Sequence, residues 1–391
     1  MTAAEQAVLD LITAGEIRDL AVDLVRAGGE NPPGGEGAAA KAFGAACAAR
    51  GLDVRTSDVE PDRPNVAATL PGGAGPGLLL LGHTDVVPVG EGWSVPPFDG
   101  VVRDGRLYGR GSADMRGGLA AAVVAMSALR RAGVDLAGPV ELAALVDEED
   151  TGKGIRAYLA EAAGNAFCVV TEPTELRTVV AARGDSYLEI TVTGQAAHSG
   201  NPADGRNAIY GATRVVAEIE RWHQELATRA HPLAGAPTWS VGQITGGTGT
   251  STVPAECVIS ADRRLLPGET GRAVRDAVDR GIDALGLGER GLSYTVEMTM
   301  EMPGFETATD QPLVQAAGGA VHDAGGPDEP VSGWTAACDG GFVARDTGVP
   351  VVVLGAGSAT TQAHRPDESV ALDDLVVAAR TYALCALRLL G

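Results

Sequence analysis

Apolar and polar positions follow two different patterns along the chain. From the start to about Thr178, short apolar runs typical of buried strands alternate with longer segments of helical period. Strands are predicted at Leu78–Leu81, Val140–Val146 and Phe167–Thr171, and helices at Ala38–Arg50 and Gly118–Ala132. This alternation predicts an α/β fold in which helices flank a mostly parallel sheet.

The pattern changes near Gly184. The stretch SYLEITVTG alternates with a period of two, as a strand with one exposed face does. Further elements are predicted at Ala208–Leu226, Thr238–Ile244, Glu256–Leu266, Arg272–Leu285 and Leu292–Met300. Their order, β-α-β-β-α-β, is that of a ferredoxin-like unit. After Pro303 the first pattern returns, with a helix at Leu313–Ala324 and a strand at Val349–Gly355. We therefore predict one domain of residues 1–183 and 304–391, interrupted by an inserted domain of residues 184–303.

The amino-acid composition limits the kinds of partner that the protein is expected to bind. Thirty Lys and Arg against 51 Asp and Glu give a net charge of −21, the wrong sign for a nucleic-acid partner or an anionic membrane surface. The opening residues MTAAEQAVLDLITAGEI fit one amphipathic helix rather than a secretory signal, so we expect a cytoplasmic protein with no membrane partner. The five cysteines form no C-x-x-C pair and are expected to be reduced.

Chemically active side chains follow the predicted strands. In LLLLGHTDVVPVG, His83 and Asp85 lie two residues apart after a strand, so their side chains point the same way. Open α/β sheets bind ligands at the carboxyl ends of their strands. The pair suits a metal-bound imidazole held by a carboxylate. A buried histidine satisfied by a neighbouring carboxylate is the alternative.

More carboxylates and a second histidine follow along the chain. Asp114 lies in LYGRGSADMRGG, Glu148 and Glu149 in LVDEEDTG, Glu172 in FCVVTEP, and His364 in QAHRPDE. Taken singly, Asp114 fits a helix start and the DEED stretch fits a solvated turn. Taken together, two histidines, His83 and His364, and three carboxylates at one inferred edge of the sheet match two adjacent zinc-like cations that share a carboxylate. The three carboxylates are Asp114, Glu149 and Glu172.

Six motifs make the resemblance to a known family specific. They are GHTDVVPVG, YGRGSADMRGG, DEEDTG, TEP, AHSGNPADGRNAI and AHRPDES, in this order over essentially the whole chain. The chain resembles the two-metal hydrolases that include acetylornithine deacetylase, succinyl-diaminopimelate desuccinylase, aminoacylase and carboxypeptidase G. The resemblance implies hydrolysis of the amide bond of an N-acyl amino acid to a carboxylate and a free amino acid. Cleavage of a peptide bond, as by a dipeptidase or carboxypeptidase, is the alternative.

The resemblance also implies a role for each candidate site residue. The implied ligands are His83 and Glu172 on one cation, Glu149 and His364 on the other, and Asp114 bridging both. Zinc is the expected metal, with cobalt or manganese as alternatives. Asp85 would orient His83, and Glu148 would be the general base toward a water that bridges the cations. A cis peptide bond is implied between Asp114 and Met115.

The resemblance extends to the inserted domain, which it implies is a lid and dimerisation element. His198 would reach the substrate carbonyl in the partner subunit of a homodimer, Arg264 would hold a substrate carboxylate, and Ser251 and Gly333 would contact substrate. A local hydrogen bond at a strand end is the alternative for His198. Relatives commonly carry Asn where Ser251 stands, so the identity of the acyl group stays open.

Other classes of function are less consistent with the sequence. It contains no G-x-S-x-G elbow, P-loop or complete G-x-G-x-x-G, which argues against a serine hydrolase or a nucleotide enzyme. A metal-loaded binding or assembly protein of the same fold is the non-enzymatic rival. Glu148 argues against it, because a base beside five ligands serves only turnover.

Overall fold

The computed structural model describes residues 1–161 and 164–391, which form two compact units. The first unit comprises Met1–Val180, Glu306–Ser332 and Asp339–Gly391, and the second comprises Ala181–Phe305 and Gly333–Cys338. The short segment 333–338, which the sequence prediction placed in the first domain, joins the second unit.

Ten helices are described. They are α1 (Ala3–Leu9), α2 (Ala14–Arg26), α3 (Gly37–Ala49), α4 (Gly117–Ala132), α5 (Lys153–Glu161), α6 (Ala208–Leu226), α7 (Gly271–Asp283), α8 (Pro312–Ala324), α9 (Gly340–Thr347) and α10 (Leu372–Leu390). The N-terminal segment forms two helices, so the prediction of one helix there was wrong. The side-chain oxygen of Thr13 accepts the backbone N–H of Glu16 at 3.3 Å and starts α2 as a new helix.

Eighteen strands are described. They are β1 (Asp53–Glu60), β2 (Arg63–Leu70), β3 (Gly77–His83), β4 (Val101–Arg103), β5 (Arg106–Tyr108), β6 (Val140–Leu145), β7 (Asn165–Val170), β8 (Val179–Ala182), β9 (Asp185–Thr193), β10 (Ala197–His198), β11 (Thr238–Gly246), β12 (Thr252–Val253), β13 (Glu256–Arg264), β14 (Ser293–Met302), β15 (Phe305–Glu306), β16 (Ser332–Trp334), β17 (Val351–Val353) and β18 (Ser369–Ala371). Most of them belong to two larger sheets.

The first unit is built on a sheet with the strand order β1-β2-β6-β3-β7-β17-β8-β15, with β16 beside β8. Its central strands β6, β3, β7 and β17 are parallel, while β1 and β2 are antiparallel. All seven residues of β3 are buried, as expected for a strand covered on both faces. The α/β class with a mostly parallel central sheet is therefore confirmed.

The second unit contains a four-stranded sheet with the order β11-β13-β9-β14, in which every neighbouring pair is antiparallel. Helices α6 and α7 pack on the sheet. Leu188, Ile190 and Val192 alternate along β9 and lie in this unit's core. The element order and strand order are those of a ferredoxin-like unit. Strands β11 and β14 are its edges.

Neither a disulfide bond nor a membrane-spanning helix is found among the described residues. All five cysteines are buried, and among the described residues none of them forms a disulfide bond. In the described part of the chain, no helix combines the length and apolar character needed to cross a bilayer.

Candidate metal centre

Three neighbouring parallel strands bring their carboxyl ends together. His83 is the last residue of β3 and pairs with Leu145, the last residue of β6. On the other side of β3, Leu81 pairs with Val170 at the end of β7. The residues that follow β6 and β7 include Glu148, Glu149 and Glu172, so the parallel register places these carboxylates beside His83.

Asp114 lies between the two histidines. It belongs to a wide helical turn at Ser112–Arg116 that leads into α4, and its peptide bond to Met115 is cis, as the resemblance implied. Oδ1 of Asp114 lies 3.2 Å from Nε2 of His83, and Oδ2 lies 3.4 Å from Nε2 of His364. One carboxylate therefore faces two imidazoles with two different oxygens.

Each histidine also faces a second carboxylate. Nε2 of His83 lies 3.4 Å from Oε1 of Glu172, and Nε2 of His364 lies 3.1 Å from Oε2 of Glu149. Potential ligand atoms of His83, Glu148 and Glu172 lie within 4.8 Å of one another, as do those of His83, Asp114 and Glu149. The two groups of potential ligand atoms share His83, whereas the histidine contacts link His83 with Asp114 and Glu172, and His364 with Asp114 and Glu149.

The donor set fits divalent cations. Within residues 1–161 and 164–391, the ion pairs of Asp114, Glu149 and Glu172 are made to histidine, with no lysine or arginine in contact. Imidazole nitrogens and carboxylate oxygens are ligands that zinc accepts. A cluster with this excess of buried carboxylate needs positive charge from elsewhere, which two cations would supply.

Electrostatics in the cation-free protein support the same assignment. Burial raises the pKa of Glu172 to about 8 and raises the pKa of Glu148 well above its ordinary value. Hydrogen bonds to Asp114 and Glu149 raise the pKa of His364 to about 10. Without metal, Glu172 and His364 therefore retain protons at neutral pH at positions where a cation would otherwise balance the charge.

Asp85 contacts both the ring of His83 and the backbone of the turn that carries Glu148 and Glu149. Nδ1 of His83 lies 3.0 Å from the backbone oxygen of Asp85 and 3.5 Å from its carboxylate, so the carbonyl is the closer partner of the ring. The carboxylate accepts the backbone N–H groups of Glu148 at 3.3 Å and Glu149 at 3.0 Å. Asp85 therefore connects the end of β3 to the turn after β6.

His198 and Ser251 lie together in the second unit. Strand β10 pairs with β12, where His198 is opposite Thr252, and the backbone N–H of Ser199 donates to the carbonyl of Ser251 at 3.0 Å. Nδ1 of His198 accepts the N–H of Gly200 at 3.0 Å. The local hydrogen bond considered as the alternative is thus present, and it fixes the ring of this exposed histidine through Nδ1.

Arg264 and Gly333 have partners within the second unit. Nη2 of Arg264 lies 2.9 Å from Asp185 and 2.9 Å from Asp262, so its charge is already shared by two carboxylates. A Cβ on Gly333 would lie 2.2 Å from the carbonyl oxygen of Leu233. Close backbone packing is therefore a sufficient reason for glycine at this position.

Comparison with known proteins fits this geometry. Residues 79–388 match the model of peptidase family M20/M25/M40. The chain belongs to this family. The family resemblance and the hydrolase function expected from the motifs are thereby confirmed.

Individual relatives and solved structures extend the comparison. The chain is 34% identical to acetylornithine deacetylase of Edwardsiella ictaluri over 80% of each chain. It is 32% identical to succinyl-diaminopimelate desuccinylase of an Azoarcus species over 80% of this chain and 82% of that one. Among solved structures, aminopeptidase PepT of Bacillus cereus has a TM-score of 0.78 at 22% identity, with 97% of this chain and 99% of that chain covered. A dinuclear metal-binding M20 peptidase of Bacillus subtilis has a TM-score of 0.74 at 16% identity, over 96% and 98%.

Sequence analysis missed three residues near the candidate metal centre. Glu368 is one of them, although it lies in the AHRPDES motif. Its carboxylate accepts the backbone N–H groups of Ala113 at 2.9 Å and Asp114 at 3.0 Å, and it pairs with Arg110 at 2.7 Å. Glu368 therefore holds the loop that carries the shared carboxylate. Its position four residues after His364 was the available signal.

Asp339 and Asn31 are the other two. Asp339 is buried, and among the described residues neither of its carboxylate oxygens has a hydrogen-bond partner. Burial raises its pKa to about 8. Asn31 lies in the glycine-rich NPPGGEGAAA stretch, and its amide donates to Asp85 at 3.0 Å. No sequence pattern distinguished either residue from its neighbours.

Proposed function

We propose that the chain hydrolyses the amide bond of an N-acyl amino acid and releases a carboxylate and a free amino acid. The observation that carries the proposal is the position of Asp114, whose two oxygens face His83 and His364 separately. Glu148 stands in the same cluster. Two relatives at 34% and 32% identity, a deacetylase and a desuccinylase, support amide hydrolysis of this type.

Two divalent cations complete the proposed site. His83 and Glu172 would hold one, Glu149 and His364 the other, and Asp114 both, with zinc expected first and cobalt or manganese as alternatives. Such a pair of cations polarises a carbonyl and lowers the pKa of bound water to about 7.

Glu148 is the proposed general base. It would take the proton of the attacking water and give it to the leaving amine, a contribution of about 10²- to 10⁴-fold in other enzymes. The burial that raises its pKa makes its carboxylate the stronger base. Its backbone N–H donates to Asp85, so the turn that carries it is held in place.

The second unit would bind and orient the substrate. His198 would donate a hydrogen bond to the oxyanion that develops on the carbonyl, a contact that is typically worth about 3 kcal/mol. Its Nδ1 is already engaged by Gly200, so Nε2 is the nitrogen left for this role. Arg264 would hold a substrate carboxylate beside Asp185 and Asp262, and Ser251 and Gly333 would contact the substrate.

A homodimer is part of the proposal. Strand β11 is an edge of its sheet, and its outer half, including Ile244 at 49% exposure, is uncovered in the single chain. An edge of this kind can pair with its copy in a second chain. His198 would then serve the partner's site, and the inserted unit would act as a lid. The expected cytoplasmic location also belongs to the proposal and is tested by cell fractionation.

The second candidate is cleavage of a dipeptide or of a C-terminal residue, which would use the same groups on a peptide bond. One experiment separates the two. The metal-loaded protein is given N-acetyl, N-succinyl and N-formyl amino acids and a set of dipeptides, and release of free amine is measured. Faster turnover of an N-acyl amino acid supports the proposal, faster turnover of a dipeptide supports the alternative, and no release from any compound contradicts both.

A further inference from the structure

Asn31 joins two buried carboxylates behind the candidate metal centre. Its Nδ2 donates to Oδ2 of Asp85 at 3.0 Å and to Oδ1 of Asp147 at 3.2 Å. Asn31 is 2% exposed, and both aspartates are fully buried. Because carboxylates only accept hydrogen bonds, the two N–H groups of a single amide suit this position.

The backbone places Asn31 there. Its N–H donates to the carbonyl of Val86 at 2.9 Å, and the N–H of Val86 donates to Gly29 at 3.0 Å. The loop that carries Asn31 is thus paired with the residue that directly follows Asp85. The amide therefore approaches Asp85 from a fixed direction.

Asp147 extends the network away from the cluster. Its Oδ1 also accepts from Nη2 of Arg63 at 2.7 Å, and its Oδ2 accepts the backbone N–H of Lys153 at 3.2 Å. Arg63 is in turn paired with buried Glu36. Asp147 immediately precedes Glu148, so this network fixes the start of the turn that carries Glu148 and Glu149.

Asn31 is therefore the connection between the two anchors of that turn. Asp85 accepts the N–H groups of Glu148 and Glu149, and Asp147, the residue before them, is fixed by Arg63 and by the backbone of Lys153. Without the amide, two buried carboxylates would each lose a donor and repel one another across the gap. Displacement of Asp85 would move both the ring of His83 and the carboxylate of Glu149.

We propose that Asn31 is a positioning residue that sets how tightly the candidate centre holds its cations, through Asp85 and the Glu148–Glu149 turn. The inference rests on the proposed metal site. Replacing a partner behind a metal ligand typically weakens metal affinity or activity about 10- to 100-fold. We expect a loss in that range.

The experiment measures zinc affinity of the full chain by competition with a chelator, together with the unfolding temperature of the metal-free protein. Asn31→Ala is compared with Asn65→Ala. Asn65 is a buried asparagine that donates to Gly154 at 2.8 Å and accepts from Val146 at 3.1 Å, and it contacts neither Asp85 nor a predicted ligand. We expect at least a tenfold loss of zinc affinity for Asn31→Ala and less than a twofold change for Asn65→Ala.

Every outcome of this comparison is decisive. Wild type that binds no zinc contradicts the proposed function itself. The role of Asn31 is overturned if Asn31→Ala binds zinc as tightly as wild type does. It is also overturned if Asn31→Ala and Asn65→Ala lose zinc affinity equally. If Asn31→Ala does not fold, Asn31→Ser is measured in its place. The serine hydroxyl retains one hydrogen-bond donor, so this variant should lose less zinc affinity. Failure of both to fold, while Asn65→Ala folds, would assign Asn31 to the fold and overturn the proposal.

Discussion

Oδ2 of Asp185 lies 2.9 Å from Nη2 of Arg264, so the arginine proposed to bind a substrate carboxylate is already paired. Asp262 lies 2.9 Å from the same nitrogen. The side chain of Asp185 is 7% exposed, and among the described residues its Oδ1 has no hydrogen-bond partner. A substrate carboxylate must therefore share one guanidinium with two anions.

Removing one of these anions should improve binding of acidic substrates. We expect Asp185→Asn to lower KM for an N-acetyl amino acid by roughly tenfold, about 1.4 kcal/mol, because the guanidinium regains a donor for the substrate. The corresponding amino-acid amide, which lacks the carboxylate, should show no change. Asp279→Asn, on α7 in the same unit, is the charge-matched control. An equal change in KM for the acid and the amide would show that Arg264 does not bind the substrate carboxylate.

The neighbours Glu148 and Glu149 should differ in their effects. Glu148→Ala should retain two cations and lose about 10²- to 10⁴-fold in kcat, because it removes the proposed proton acceptor. Glu149→Ala should lose affinity for one cation, because it removes a ligand. Metal content after dialysis and steady-state kinetics measure the two effects. Exposed Asp150 follows in the same turn, and Asp150→Ala is the control. Near-normal turnover by Glu148→Ala would disprove the base assignment.

Metal binding should release protons at neutral pH. In the cation-free protein the pKa of His364 is raised to about 10 and that of Glu172 to about 8, so both are protonated at pH 7. A cation needs the neutral imidazole and the ionised carboxylate, so its apparent affinity should rise with pH from about 7 to about 10. Calorimetry in two buffers of different ionisation enthalpy counts the protons.

The His364→Asn variant should release about one proton fewer per site, whereas His322→Asn, at an exposed position on α8, should release as many as wild type. Binding without any proton release would contradict the geometry of His364 between Asp114 and Glu149.

Two inactive variants should complement each other if the dimer shares its sites. Glu148→Ala and His198→Ala are unfolded together and refolded as a mixture. If His198 serves the partner's site, each heterodimer has one site with both lesions and one with neither, so activity should return. If His198 serves its own chain, every site keeps one lesion. Continued inactivity, with heterodimers detected by mass, would rule out the shared site.

Sequence patterns identified the strands that carry the centre because those strands are short apolar runs with polar residues directly after them. His83 ends β3, and Glu149 and Glu172 follow β6 and β7. The parallel register of these strands is enough to bring their carboxyl ends together. Asp114 and His364, the proposed ligands outside the strands, were predicted from their motifs.

The features that sequence analysis missed depend on contacts between distant parts of the chain. Asn31 contacts residues 54 and 116 positions away, and a local pattern carries no trace of either pairing. The pairing of Arg264 with Asp185 joins the end of β13 to the start of β9, a side-chain contact that the strand pattern does not specify. The break between α1 and α2 had a local signal in Thr13, which the apolar periodicity obscured.

The inserted unit separates the ligands in the order of their synthesis. Four of the five proposed ligands precede it, whereas His364 follows Glu172 by 192 residues. At about 5 to 20 residues per second, a ribosome needs roughly 10 to 40 s to add that length. A nascent chain thus carries an incomplete set of buried carboxylates through the translation of a whole domain. Capture of the second cation is then a late event in biogenesis, and a chain truncated within the insertion cannot form the complete centre.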